Sequence, residues 1–286
     1  MNKTKIEWCD ISWNVVTGCL HGCKYCYAAG IANRFSGKWT VDKGICIMYH
    51  GYPELTEQLQ REINGKSIKV SYPFGFFPTF NRYRLDEPKN KTKPLKIFVS
   101  SMGDLFGDWV PDEWIQEVLK TVRECPQHSF LFLTKNPKRY REINFPDNAW
   151  IGTSVENQAA ADLRIPLLLE AKAKVKFVSV EPLLGPLDLS KWINAAWWAE
   201  KEQVEMVDGL SGRVIGTRPG HTGWHHVSGG RYGLSWVIIG GETGHGAKPV
   251  NPEWAGNLIQ QLRAAKVATF LKDNLHWPEQ IQEWPV

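Results

Sequence analysis

Three cysteines fall within eight residues, Cys19-Leu20-His21-Gly22-Cys23-Lys24-Tyr25-Cys26, spaced C-x3-C-x2-C. Thiols this close together bind metal or do redox or nucleophilic chemistry, and the spacing narrows the choice. Structural zinc takes four ligands, usually as two pairs separated by a longer stretch. No second pair exists here, and His21 is the nearest candidate for a fourth ligand. Ordinary electron-transfer clusters also use four cysteines. A 4Fe–4S cluster held by three would keep one iron without a protein ligand, open to a small molecule. Gly22 suits the tight loop that must wrap so bulky a group, because glycine takes φ values other residues avoid. Cys9, Cys46 and Cys125 are scattered and read as ordinary buried or half-buried thiols.

A folded chain must position that loop, and the composition supplies one. Of 286 residues, 43% are hydrophobic and 22% charged, which excludes general disorder. At this length folding hides roughly three-quarters of the surface of the unfolded chain, so a large core is possible. Thirty-four Lys and Arg against thirty Asp and Glu give a formal charge of +4. That excess permits a nucleic-acid partner without implying one. No run of eighteen apolar residues could span a bilayer, and the first eight residues lack the apolar stretch of a signal peptide. The expectation is a cytoplasmic protein with no membrane partner, in whose reducing surroundings a disulfide framework has no place.

The pattern of elements is α/β. Trp13 to Gly18 reads as a strand running into the cysteine loop, with a helix from Tyr27 to Phe35. Pro53 to Asn64 carries Leu55, Leu59 and Ile63 at four-residue spacing and reads as a surface helix. Residues 66–94, aromatic, basic and rich in proline, read as an extended insertion. Then a rhythm sets in. Apolar strands at 96–101, 129–134, 150–155, 175–180, 235–240 and 268–271 alternate with helices at 111–124, 157–171 and 252–265. Pro111 suits a first helical turn, and Pro166 must kink or split its helix. Near-continuous apolar strands alternating with amphipathic helices mean a parallel sheet covered on both faces. About seven such strands suit one TIM-type (β/α) barrel domain over residues 1–286, partial or near complete. Residues 189–234 form a second insertion, glycine-rich and containing His221, His225 and His226, which reads as a polar lid or small subdomain rather than a metal site.

In a barrel, chemistry gathers where the strands end. Those ends carry Ser100, Ser101, Asp104, Thr134, Lys135, Ser154, Glu156, Glu181, Glu242 and Lys272. Each has a plainer reading too. Ser154 and Glu156 could cap the following helix, Glu181 could serve a turn before Pro182, and the two lysines could be solvated surface charges. The two glycines before Glu242 permit close approach of a ligand. Most of the fourteen tryptophans read as packing, although Trp197, Trp198 and Trp224 in the second insertion would offer bases a stacking surface.

The cysteine spacing, the aromatic Tyr25 between the last two cysteines, and their place after the first strand resemble the radical S-adenosylmethionine superfamily. That resemblance implies a 4Fe–4S cluster on Cys19, Cys23 and Cys26. Its open iron would chelate S-adenosylmethionine, and reductive cleavage would yield a 5′-deoxyadenosyl radical. It further implies that Tyr25 packs near the adenine. The order Tyr25-Cys26-Tyr27, Leu133-Thr134-Lys135, Thr153-Ser154-Val155-Glu156 and Pro182-Leu183-Leu184-Gly185-Pro186 is similar to spore photoproduct lyase-like proteins, which act on DNA bases. With Ile6-Glu7-Trp8, Trp13-Asn14, Thr17-Gly18-Cys19, Ser179-Val180-Glu181-Pro182 and Gly240-Gly241-Glu242, nearly the whole chain outside the insertions resembles an uncharacterised bacteriophage-associated three-cysteine family of the same type.

By the same resemblance, the end of the second barrel strand binds the methionine amino group, a place occupied here by Ser100, Ser101 and Asp104. The family's usual Gly-Gly-Glu is missing there, and Gly240-Gly241-Glu242 comes too late in the chain to replace it. Ser154 and Glu156 match the strand end that binds ribose hydroxyls, and Arg164 would pair with the cofactor carboxylate. The function expected is a lyase or transferase acting on a nucleobase or nucleotide and fed by an external electron donor. The basic, aromatic stretch from Tyr72 to Arg84 adds to the nucleic-acid expectation. A peptide or small-metabolite substrate and a non-catalytic metal-binding module are the alternatives.

Overall fold

The computed structural model describes residues 1–36, 45–193, 206–208, 213–216, 225–226, 233–244 and 246–285. These fall into two compact units, Met1–Asn136 and Pro137–Val286.

The first unit contains β1 (Asn2–Lys3), β2 (Ile11–Trp13), β3 (Val16–Thr17), α1 (Tyr27–Arg34), β4 (Cys46–Tyr49), β5 (Tyr52–Leu55), β6 (Gln60–Ile63), β7 (Lys66–Lys69), β8 (Thr79–Asn81), β9 (Lys96–Val99), α2 (Asp112–Glu124) and β10 (Ser129–Thr134). β2, β9 and β10 run parallel, with Ile11 opposite Ile97 and Phe98 opposite Leu131. Ile97, Phe98, Val99, Phe130, Leu131 and Phe132 are all buried, as strands covered on both faces must be. α2 buries Trp114, Ile115, Val118, Leu119 and Val122 along one side. Asp112 and Glu113 stand in its first turn and Arg123 in its last, both favourable to the helix dipole.

A second sheet, in the order β3-β8-β5-β4, and a separate β6–β7 hairpin occupy the chain before β9. The helix expected over residues 53–64 is therefore absent: that stretch makes β5 and β6. Two tight turns decide the matter. His50 and Gly51 have φ of +48° and +82°, and Asn64 and Gly65 have +50° and +69°. Both pairs are two-residue hairpin turns with positive φ at each central residue, and Asn-Gly is a strong sequence signal for that turn. The four-residue spacing that suggested a helix has another cause. Leu55 and Leu59 pack with Val70 in a small separate core, alongside Ile45, Phe74 and Tyr83. Glu54, 5% exposed, accepts hydrogen bonds from Trp114 Nε1 and Arg82 Nη2 and so ties β5 to α2.

The second unit contains β11 (Ala149–Ser154), α3 (Gln158–Glu170), β12 (Val175–Val180), α4 (Ser190–Ile193), β13 (Met206–Asp208), β14 (Arg213–Gly216), β15 (His225–His226), β16 (Trp236–Ile239), α5 (Pro252–Ala264) and β17 (Ala268–Leu271). β11, β12, β16 and β17 are parallel neighbours in that order, with Ser154 opposite Ser179 and Ile239 opposite Leu271. Asn157 and Asn251 cap α3 and α5 by accepting from Ala160 N and Glu253 N. Pro166 sits inside α3, which continues through it to Glu170. β13, β14 and β15 form an antiparallel sheet. Trp197, Trp198, His221, Trp224 and most of the second insertion lie outside the described residues. The α/β class stands, with three parallel strands in the first unit and four in the second.

Candidate functional site

The cysteine loop is fixed at its start by a contact only glycine allows. Gly18 has φ +86°, and its N–H donates to Met102 O at 2.8 Å. A Cβ on Gly18 would lie 2.3 Å from the Phe77 carbonyl oxygen, and one on Gly103 would lie 2.8 Å from Gly18 O. Cys19 N donates to Phe76 O at 3.1 Å. The loop thus leaves β3 clamped between Phe76–Phe77 on one side and Met102–Gly103 on the other. Gly22, at φ +67°, has open space where a Cβ would be, so its requirement is conformational alone. At the far end Cys26 caps α1: its Sγ accepts from Ala29 N at 3.4 Å, and its own N–H donates to Cys23 O at 3.2 Å.

All six cysteines carry free thiols, and those of the loop are half-buried. Burial pushes the Cys19 thiol up to about 12, with nearby Asp104, Cys23 and Cys26 adding to the rise and a hydrogen bond from His21 N opposing it. The Cys19 thiolate therefore needs a compensating positive charge. Iron or zinc would each supply one. Among the described residues no three His, Cys, Asp or Glu side chains are grouped so as to hold a metal ion. Three half-buried thiols with no fourth cysteine in the loop are the donors a 4Fe–4S cluster would use, and Cys19, Cys23 and Cys26 would hold it.

Behind the loop stands a buried carboxylate. Asp104 is 5% exposed, and its Oδ2 accepts from Thr134 Oγ1 at 2.9 Å and Lys135 N at 3.1 Å. Oδ2 also lies 2.8 Å from His21 Nε2, and Oδ1 accepts from Phe106 N at 3.0 Å. The His21 ring meets Trp109 edge-on at 4.8 Å. Tyr25 OH accepts from Lys135 Nζ at 3.0 Å, and Tyr27 OH donates to Ser101 O at 2.8 Å. Ser101 Oγ and Met102 N both donate to Asn14 Oδ1, at 3.1 and 3.0 Å. Of the residues singled out from sequence, Tyr25 belongs to the cysteine loop, Asp104 meets it at His21, and Ser101 meets Tyr27 just beyond it. His21 as the partner of Asp104, and Asn14 as the partner of Ser101, were missed. The strand expected from Trp13 to Gly18 breaks at Asn14, between β2 and β3 in different sheets, and a polar side chain within that apolar run was the available sign.

The strand ends of the second unit carry two ion pairs. Glu156 Oε2 accepts from Arg164 Nη1 at 2.9 Å, and the same nitrogen donates to Ser154 O at 2.8 Å. Since Asn157 is the cap of α3, Ser154 and Glu156 do not do that work. Glu181 accepts from Lys272 Nζ at 2.5 Å and from Ser179 Oγ at 3.1 Å. Gly240 makes room for this pair: a Cβ there would lie 3.0 Å from Glu181 Cγ and from Lys272 Cδ. Gly241 exchanges two hydrogen bonds with the Asn274 side chain, at 3.2 and 2.9 Å. The double glycine thus admits protein side chains closely. Glu242 beyond it is half-exposed and accepts from Lys248 N at 2.9 Å. In the stretch from Tyr72 to Arg84, Arg82 pairs with Glu54 and Glu117 and Arg84 with Glu87, so its charge is largely spent inside the protein.

None of the curated proteins matches the chain. Among solved structures it is similar to a mutant spore photoproduct lyase, with 12% identity and a TM-score of 0.41 over 92% of this chain and 75% of that one, a likeness too distant to carry an argument. No helix among the described residues is long and apolar enough to cross a membrane. A family described as "Protein of unknown function (DUF5131)" matches residues 3–283, so the chain belongs to that family.

Proposed function

We propose that the chain is a radical S-adenosylmethionine enzyme whose substrate is a nucleobase or nucleotide. The observation that carries the reading is the loop from Gly18 to Cys26, which presents three thiols without a fourth cysteine and is locked by a glycine that no other residue can replace. A 4Fe–4S cluster bound there would supply one electron to S-adenosylmethionine and so generate a carbon radical that takes hydrogen from substrate. The chain's own residues do the rest. Cys19, Cys23 and Cys26 bind iron, while Asp104 holds His21 and with it the middle of the loop. Tyr25, anchored by Lys135, offers a ring for the adenine. A partial or near-complete (β/α) barrel and a cytoplasmic setting go with this reading. The substrate class rests on the resemblance of the strand-end motifs and on the modest positive charge.

Anaerobic reconstitution with iron and sulfide, followed by reduction in the presence of S-adenosylmethionine, tests the reading. It expects about four iron atoms per chain, release of 5′-deoxyadenosine, and loss of both in Cys23→Ala. Stoichiometric zinc in protein purified anaerobically, or full cleavage by Cys23→Ala, would overturn it. Oligonucleotide binding that weakens steeply with salt is expected for a nucleic-acid substrate, and a salt slope near zero would remove that class.

A further inference from the structure

Two glutamines hold one segment of the second unit between its helices. Gln158, the first residue of α3, accepts from Asp188 N at 2.8 Å and donates to Asp188 O at 3.2 Å. Gln261 on α5 accepts from Leu189 N at 2.8 Å and donates to Leu187 O at 3.2 Å. Between α3, this segment and α5 lies an open groove of about 690 Å³, a size at which small-molecule sites are found. Trp254, Asn257 and Gln261 stand at i, i+3 and i+7, so one face of α5 makes a wall, and Gln260 extends it. Trp254 is half-buried. Asn257 and Gln260 are exposed, and among the described residues their carboxamides have no hydrogen-bond partner.

The lining also says what the groove would refuse. No Lys, Arg or His is among its lining residues, and its one carboxylate, Asp188, accepts from Ser190 N at 2.9 Å. A phosphate would find no cation there. A neutral flat ring with donors and acceptors along its edge fits instead. The Trp254 indole offers a face on which a base can stack, and a carboxamide pairs with the edge of a base through one donor and one acceptor. Gln158 already pairs with the Asp188 N–H and C=O in that manner. Resting on the reading above, we propose that this groove takes an unpaired base of a polynucleotide substrate, stacked on Trp254 and read by Asn257 and Gln260. Its walls are α3, α5 and the segment leading into α4, not the strand ends, so the base held here is a neighbour of the reacting base. The substrate is then a strand with accessible bases and not a free nucleotide.

The test uses the full chain, a fluorescently labelled hexadeoxyadenylate, and an abasic hexamer with the same phosphates, binding being read by anisotropy. The wild-type protein should hold the adenylate about tenfold tighter than the abasic strand. Trp254→Ala should lose about tenfold on the adenylate and nothing on the abasic strand, while Trp254→Phe stays within about threefold of wild type. Asn257→Ala combined with Gln260→Ala, both on the exposed surface, should bind the adenylate as weakly as wild type binds a hexamer of N6-dimethylated adenines. The dependence on salt should be the same in every variant, because none of these residues meets phosphate. Wild-type affinity for the adenylate in both Trp254→Ala and the double variant, or a wild-type protein that binds the two hexamers equally, would overturn the groove proposal and leave the nucleic-acid reading standing. Wild-type protein that binds neither hexamer would remove both, and release of 5′-deoxyadenosine by the reconstituted enzyme would then still uphold its radical chemistry.

Discussion

His21 Nε2 lies 2.8 Å from Oδ2 of Asp104, 83 residues further along the chain. An ionised carboxylate can only accept, so the imidazole donates from Nε2, and the middle of the cysteine loop is thereby tied to the start of the segment that follows β9. Thr134 Oγ1 and Lys135 N donate to the same carboxylate oxygen, and Phe106 N donates to the other. Asp104→Asn should be costly despite its near-identical shape. Whichever way the amide turns, its NH2 faces at least one existing donor. The expected loss is about 1–3 kcal/mol, read from chemical denaturation, together with reduced iron retention. Unchanged stability and full iron loading would show that the carboxylate does not organise the loop.

Two glycines of the same segment should respond unequally to alanine. In Gly18→Ala the new Cβ meets the backbone carbonyl of Phe77 at 2.3 Å, where no side-chain movement can relieve it. A loss of about 3 kcal/mol or more is expected, with failure to bind iron. Gly22→Ala meets nothing and pays only for its positive φ, about 1 kcal/mol. Equal effects in denaturation and iron analysis would contradict the clamp described for Gly18.

Glu181 and Lys272 pair with side chains 18% and 13% exposed, so neither charge is fully solvated once its partner is gone. Lys272→Met and Glu181→Gln should each destabilise by about 1–3 kcal/mol, below the range for fully buried pairs. The double variant should be less destabilised than the sum of the two. Strict additivity in that cycle would mean the pair contributes no coupling. Gly240→Ala pushes against both side chains and should weaken the same coupling.

Lys176 donates to Leu169 O at 2.7 Å, and burial lowers its ammonium to about 8 from an ordinary 10.5. The folded protein therefore loses this proton before the unfolded chain does. Between about pH 8 and pH 10.5 the unfolded chain binds more protons, and this group makes stability rise with pH. Below pH 8 the lysine is charged in both states and its burial cost is paid in full. Lys176→Met should stabilise the protein at pH 7 by about 1–2 kcal/mol, net of the lost hydrogen bond. It should also remove the upward slope across that window. A denaturation profile with the same slope in both proteins would contradict the burial of this amine.

The long elements were readable from the amino acids, and the short ones were not. Lys96–Val99, Ser129–Thr134 and Val175–Val180 are near-continuous apolar runs, and α2 and α5 repeat their apolar residues with helical period, so burial dictates their form. The stretch from Tyr52 to Ile63 misled because its leucines belong to a small core assembled from several strands, while the deciding information lay in the turns His50-Gly51 and Asn64-Gly65. The candidate site divides in the same way. Local spacing exposes the cysteines, and strand ends expose Asp104, Glu156, Glu181 and Lys272 singly. Their partnerships are another matter. His21 with Asp104, and Glu181 with Lys272 91 residues later, are set by how strands come side by side, which no local pattern encodes.

The carbonyl groups of Phe76 and Phe77, which press against Cys19 and Gly18, belong to chain interposed between two parallel strands, chain that looks dispensable on paper. Trimming it would pull the floor from under the first thiol. Grafting the eight-residue cysteine motif onto another scaffold would fail for the same reason unless those two phenylalanines travelled with it, so engineers should treat the motif and its distant brace as one transplantable part.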